Sequence, residues 1–318
     1  MSIKWMRNYT LNLLAIDGVS NIEIQYPLTL EFNIVRKAWG EMNSGTFRIY
    51  NLKDSTRQGI RKDYYDLSIF RYLKLQAGYG APPYPLIFNG NIQQAWSWRD
   101  SGSPNYITEI TGYDFGQVTS TAQINTSLGA GVPKQVVINT LVNNLVNAPQ
   151  QLGSSGTTKS AGLSVGYITQ AWQGITYPRG RVLFGNTWQI LQQETLGTAY
   201  IDNGKINILQ NNDVFNGGIP TLDASTGLLS TPKKAELYLE IEILFEPNLI
   251  AGQIIQLVSA SSPEWNANYK VMGIEHRGII SGSVNGRCTT KLLLLTIPSY
   301  SQIAAEGLPA PTGVTGSW

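Results

Sequence analysis

A two-residue period limits this chain more than any other feature. From Tyr9 to about Asp114, apolar side chains recur at every second position in short runs: Leu11/Leu13, Ile22/Ile24, Leu28/Leu30/Phe32/Ile34, Phe47/Ile49, Leu73/Leu75 and Tyr106/Thr108/Ile110. Alternate residues of an extended chain point to opposite faces, so each run predicts a half-buried strand. Gly and Asn take positive φ at little cost, and Asp17-Gly18, Asn43-Ser44-Gly45, Gly78-Tyr79-Gly80, Asn89-Gly90 and Ser101–Pro104 predict the intervening turns. The pattern returns between Ala235 and Thr296. There Glu236–Ile243 alternates, Phe245-Glu246-Pro247 and Ala251-Gly252 punctuate, and three more apolar runs follow. Many short strands at close spacing make a barrel or sandwich.

Between these β regions the period changes. Pro133 at the first helical position, with Val137, Leu141 and Leu145 on one face, predicts an amphipathic helix. Asn186 is placed to cap a second helix that begins Thr187-Trp188-Gln189 and stops at Leu196-Gly197. Asn203-Gly204 is the preferred dipeptide of a type I′ turn and predicts a hairpin joining Ala199–Asp202 to Lys205–Leu209. The Gly/Ser/Thr-rich stretch Gly153–Gly162 reads as an exposed loop. In the first region Asp54 or Ser55 is expected to cap a short helix over Thr56–Lys62 whose basic face is solvated.

The expected organisation is therefore an N-terminal β-barrel domain over 1–115, a middle α+β domain over 116–230 and a C-terminal β-barrel domain over 231–300. A Pro/Gly tail over 301–318 follows, either docked on a partner or mobile. The fold class is mainly β with an α+β portion, two related barrels being joined by the helix-containing middle. A short echo between Pro85–Ile92 and Leu244–Ile250 hints at the relation.

Composition narrows the function. Only 14% of residues are charged, and 23 basic against 21 acidic side chains leave +2, which gives nucleic acid little to hold. A surface so poor in charge is covered by Asn, Gln, Ser, Thr and Gly or by partner subunits. One cysteine, Cys288, rules out an intramolecular disulfide. Neither a signal peptide nor a membrane-spanning apolar run is expected, so stable membrane insertion is not.

Candidate chemistry is sparse. His276 alternates with Glu275 and Arg277 along a strand, which puts those two charges on its other side. One His and one Cys do not furnish a zinc site or a Cys–His pair. Gly156–Ser160 lacks the Gly-Lys-Ser/Thr of a phosphate loop, and Gly78-Tyr79-Gly80 leads to Pro82-Pro83, not a helix. Glu236, Glu240 and Glu242 share one face of a strand, an ordinary solvated face or a charged wall. Asp114, Glu194, Asp213 and Asp223 are too scattered for sequence to bring together. Trp96 and Trp98 share a face and suit a core, a subunit interface or a glycan platform. No catalytic, cofactor or metal residue is assigned and no cofactor is expected.

Several motifs in order resemble the baseplate hub family of tailed bacteriophages, which is related to the hub part of type VI secretion spike proteins. They are Gly45–Leu52, Leu75–Tyr79, Leu86–Ile92, Thr108–Asp114, Trp188–Leu191, Ser225–Pro232, Phe245–Gly252 and Tyr269–Gly278. The resemblance implies a structural, non-enzymatic protein of the virion tail, assembled in the host cytoplasm. It implies two related barrels per chain and a homotrimeric ring with a central channel that links a six-fold tail tube to a three-fold spike. Implied partners are the tube or tube-initiator protein, the central spike and other baseplate proteins, with DNA and tape-measure protein in transient passage. A tail-associated glycan-binding protein or peptidoglycan hydrolase is the alternative.

Overall fold

The computed structural model describes residues 4–66, 69–152, 157–210, 212–216, 218–235, 237–296 and 301–304. The first region forms β1 (Arg7–Leu14), β2 (Asn21–Gln25), β3 (Leu30–Lys37), β4 (Ser44–Tyr50), α1 (Asp54–Ile60), β5 (Ile69–Phe70), β6 (Tyr72–Tyr79), β7 (Leu86–Arg99) and β8 (Tyr106–Tyr113). The middle begins with α2 (Gly116–Thr121), β9 (Gln123–Leu128), α3 (Lys134–Val146), β10 (Pro149–Leu152), β11 (Thr157–Ser160) and β12 (Ser164–Ile168). It continues through β13 (Arg181–Asn186), α4 (Thr187–Thr195), β14 (Ala199–Asp202), β15 (Lys205–Ile208), β16 (Asp213–Asn216) and β17 (Thr221–Leu222). The last strands are β18 (Lys233–Ala235), β19 (Tyr238–Leu244), β20 (Ile254–Leu257), β21 (Ala267–Ile280), β22 (Cys288–Thr296) and β23 (Ser301–Ala304).

The chain is mainly β, and its two β regions share one 13-stranded sheet, whose main path runs β18-β19-β22-β21-β3-β4-β8-β7-β6-β1-β2. The join is the antiparallel pairing of β21 with β3, from Gly273↔Lys37 to Ile280↔Leu30. The two β regions, joined in sequence by the middle region, therefore also meet directly in space. Their cores interpenetrate as well: Phe245, Ile280 and Cys288 pack with Leu11, Phe32, Phe47 and Phe88, while Ala38 packs with Ile241, Val271 and Leu292. The Phe245 ring lies 5.9 Å from Phe32 and 6.0 Å from Tyr79. A separate middle core sets Val137, Leu141 and Leu145 of α3 against Phe70, Phe115, Leu191 and Ile206.

Local signals were largely obeyed. The Asn186 side chain accepts the Gln189 amide at 2.9 Å, and β14 and β15 pair across Asn203 and Gly204, both at positive φ. Departures have physical causes. Asn89-Gly90 is no turn, because β7 runs straight through it; a Cβ on Gly90 would stand 2.2 Å from the Tyr113 carbonyl oxygen, so glycine permits close passage of two backbones. Lys53 is the N-cap of α1 and makes no side-chain cap bond, while Asp54 sits in the first turn bonded to Arg57 and Gln58. Lys62 is buried, its ammonium bonded to the Ile69 carbonyl, so the basic face is only partly solvated. Pro133 is the residue before α3, not its first. Thr157–Ser160 of the supposed loop pairs with β10, leaving 153–156 outside the described residues. The strand expected from Glu236 starts at Tyr238, with Leu237 exposed in a turn and Glu236 not described. Of the tail, Ser301–Ala304 pairs with β16, and 305–318 lies outside the described residues.

Candidate functional site

The acids that sequence could not place do not converge on a catalytic cleft. Glu194 accepts from Tyr177 and Arg181, Asp213 caps the Gln210 amide at 3.0 Å, and Asp223 closes a local turn through Thr226 and Ser225. His276 is fully buried, its Nδ1 2.9 Å from the Thr290 hydroxyl, and burial followed by the nearby Arg36 charge keeps its pKa well below the usual histidine value. Cys288 is buried too, and burial pushes its thiol up to about 11. No cluster of His, Cys, Asp and Glu among the described residues could hold a metal ion, and no helix among them is long and apolar enough to cross a membrane. A cleft of about 700 Å³ between β9 and α3 is walled by Asn, Thr and Gln side chains together with Ala122, Ile124, Ala148 and Pro149, without a titratable group.

Two other arrangements stand out. The first is a sheet face. Along the eight strands from β18 to β7 every neighbour pair is antiparallel, and one face is buried in the cores while the other is polar. On that polar face Glu242 lies opposite Lys291 and then Glu275; Arg277 opposite Asn33, Thr46 and Thr111; and Glu31 opposite Arg48, Glu109 and Trp96. Ion pairs neutralise it: Arg48–Glu109 at 2.6 Å, Arg287–Glu242 at 2.7 Å and Lys291–Glu240 at 3.0 Å. Such exposed pairs contribute only about 0–1 kcal/mol each, so their main effect is to set the charge pattern. Glu240 and Glu242 of the predicted charged wall are members of this face.

Trp96 and Trp98 end the face at the β7 side. They stack at 4.5 Å between centroids, with Trp96 46% exposed, so they are not core residues. On that side Ala95 exchanges both backbone bonds with Lys62, at 2.9 Å each. Ladder bonds alternate along a strand, so the backbone groups of Ser97 and Arg99 point the same way. No strand among the described residues pairs with them there, and none pairs with the outer side of β18.

The second arrangement is a buried junction where all three parts of the chain meet. The Arg36 guanidinium of β3 grips Asp202 of β14 with two bonds of 2.7 Å and reaches the Leu249 carbonyl at 3.3 Å. Asp114, just past β8, accepts the backbone N–H groups of Asn203 at 2.6 Å and Gly204 at 3.0 Å. Asn43 donates to the Ile201 carbonyl at 2.7 Å and Asn89 to the Asn203 carbonyl at 3.1 Å. One guanidinium thus serves two buried carboxylates. Burial first, and the Asp202 charge second, push Asp114 up to about 8, while its N–H donors and Arg36 pull it down. For Arg36, burial alone would lower the pKa, but Asp202 carries it above the usual arginine value. Of these residues only Asp114 was a sequence candidate. Arg36 and Asp114 were nonetheless signalled, since they continue in phase the buried alternations Phe32-Ile34 and Ile110-Gly112.

Comparison with known proteins agrees with this architecture. A family model described as baseplate hub gp41 matches residues 13–281. The fold is similar to a 43 kDa tail protein of prophage MuSo2 from Shewanella oneidensis, with TM-score 0.57, 8% identity, and 90% of this chain and 96% of that one covered. A tail protein from Neisseria meningitidis MC58 gives TM-score 0.53 at 10% identity, again covering 90% and 96%. The E. coli protein c3393, described as a type VI secretion component with structural similarity to the T4 tail proteins gp27 and gp5, gives TM-score 0.51 at 9% identity over 91% of this chain and 78% of that one. No curated protein matches the sequence.

Proposed function

The chain belongs to the baseplate hub gp41 family, and from that premise we propose that it is a non-enzymatic hub subunit of a phage tail. Three copies close a ring whose channel links the six-fold tail tube to the three-fold spike. The observation that carries this reading is the antiparallel eight-strand path with one polar face, an open edge along β18 at one end and, at the other, an open stretch of β7 from Ser97 to Arg99, past the part of β7 that pairs with β6 and with Lys62. With an even number of alternating strands, the first and last run in opposite directions. Rotation about one axis therefore brings β7 of one copy beside β18 of the next as another antiparallel pair. Head-to-tail contacts of this kind close into rings, and closure removes edges that would otherwise aggregate.

The edges are chemically compatible. Trp96 and Trp98 stand on the polar face at one end, and Lys233 stands on that face opposite Glu240 at the other, where an ammonium can meet an aromatic ring. Lined by the ion-paired face, the channel offers DNA and tape-measure protein no run of unpaired basic groups. In this reading residues 1–115 and 231–300 supply two barrel-like units per copy, completed across the seam, and 116–230 stands beside them. The tube, spike and other baseplate proteins are the partners, and assembly takes place in the host cytoplasm before incorporation in the virion tail.

Ser97→Pro tests the reading, because it removes an N–H that points away from β8 and leaves the β7–β8 ladder intact. Light scattering should give a trimer for the wild type and a folded monomer for the variant. A wild type that remains monomeric at high concentration sinks the ring. The exposed Trp pair also favours a second reading, a glycan platform; retention of host polysaccharide or peptidoglycan by the wild type and its loss in Trp96→Ala would support that one instead.

A further inference from the structure

The middle region has a strand edge that no described residue covers. β9 pairs with β13 on one side only, as a two-stranded ribbon. The Thr187 amide donates to the Ala122 carbonyl at 2.9 Å, and this fixes the phase of the ladder. Ala122, Ile124 and Thr126 turn their backbone groups towards β13, whereas Gln123 and Asn125 turn theirs away. Among the described residues, no strand and no side chain bonds to those outward groups, and both residues line the cleft of about 700 Å³ between β9 and α3.

The opposite wall suits an extended chain. Thr140, Asn143, Asn144 and Asn147 recur at i, i+3, i+4 and i+7, so a single stripe of α3 presents them to the cleft. Asn144 accepts the Thr187 hydroxyl through Oδ1, and Asn147 donates Nδ2 to the Asn143 carbonyl. Among the described residues the Asn143 amide, Asn144 Nδ2 and Asn147 Oδ1 have no hydrogen-bond partner. No charged side chain among them lines the cleft, so an ion that entered would lose water without meeting an opposite charge. No aromatic ring lines it either, which leaves a sugar nothing to stack on. Val182 and Phe184 of β13, 73% and 75% exposed, stand on the outer face of the same ribbon, with Phe184 opposite Asn125.

We propose that β9 receives an uncharged, extended segment of a partner protein, which enters the cleft as a third strand and exchanges backbone hydrogen bonds with Gln123 and Asn125. Strand addition of this kind takes its affinity from the main chain. The α3 amides supply donors and acceptors along the other side of the guest, and the rest of the partner covers Val182 and Phe184. The site shares no residue with the β7 and β18 edges, so its test stands apart from that of the ring.

The probe is a capped, fluorescently labelled hexapeptide of alternating threonine and valine, uncharged and strand-forming. Added to the full chain, it should bind saturably by anisotropy and slow hydrogen exchange at the Gln123 and Asn125 amides. The same peptide methylated at every amide nitrogen should do neither. Asn125→Pro removes an N–H that points away from β13, spares the β9–β13 ladder and should weaken binding about tenfold. Asn143→Asp sets a carboxylate on the exposed stripe of α3, should leave the circular dichroism unchanged and should weaken binding by about as much. Absence of saturable binding, equal binding of the methylated peptide, or unchanged affinity in either folded variant would overturn the proposal. Protection of the Gln123 and Asn125 amides in the dilute chain alone would do so too, by making the occupant a segment of this chain. Protection that grows with protein concentration would make it a second copy, with the same consequence.

Discussion

At the scale of single residues, Phe245 carries more than its place in sequence suggests. It follows β19 in a segment that reads as punctuation, yet its ring fills the core of the N-terminal strands, edge-on to Phe32 and 5.5 Å from His276. Its carbonyl also accepts the Tyr79 hydroxyl at 2.9 Å. Removing a buried phenyl ring loses both transfer energy and packing, so Phe245→Ala should cost about 3–5 kcal/mol. Urea unfolding measures this, and a loss under about 1 kcal/mol would mean that the two cores do not depend on one another. Arg36, Asp114 and His276 teach a related lesson about polar residues. Each falls on the buried phase of an apolar alternation, which marks it as needing a partner. The partner is another matter, since Asp202 lies 166 residues from Arg36 and no local pattern names it.

At the scale of elements, the two glycines of a strand and a turn separate steric from conformational demands. Gly90 sits within β7 and is pressed against the Tyr113 backbone, whereas Gly102, with φ +84°, has nothing within 4 Å of where a Cβ would go. Gly90→Ala must push two strands apart and should destabilise by at least about 2 kcal/mol. Gly102→Ala bears only the left-handed backbone penalty of about 1 kcal/mol. Chemical denaturation of the pair should preserve that order, and the reverse order would show that β7 and β8 separate easily. Asn89-Gly90 was legible as a special site and misread as a turn because a glycine needed for close approach looks the same as one needed for φ. By contrast, α4 and the Asn203-Gly204 hairpin were legible because cap and turn chemistry act within a few residues. The β21–β3 pairing was not legible, since either strand could satisfy its alternation against many partners.

At the scale of the whole molecule, that pairing governs how the chain comes apart. The sequence divides naturally at 115 and 230, and three independent units would melt one after another. The strands argue otherwise: β3 has β21 on one side and β4 on the other, so unfolding the C-terminal strands bares an edge in the centre of the sheet. The same event removes Phe245, Ile280 and Cys288 from the N-terminal core and the Leu249 carbonyl from Arg36. The middle region is tied in by Asp202 and by the Asn203-Gly204 tip. Each part therefore unfolds at the expense of the others, and a single cooperative transition is expected for the dilute monomer. The tryptophans report on all three parts, with Trp39, Trp96 and Trp98 in the first, Trp172 and Trp188 in the middle and Trp265 in the last. Their fluorescence and far-ultraviolet circular dichroism should change at one denaturant concentration, and residues 1–230 produced alone should lack a cooperative transition. Two separated transitions, or a stably folded 1–230 fragment, would instead establish the C-terminal strands as a unit merely leaning on the sheet.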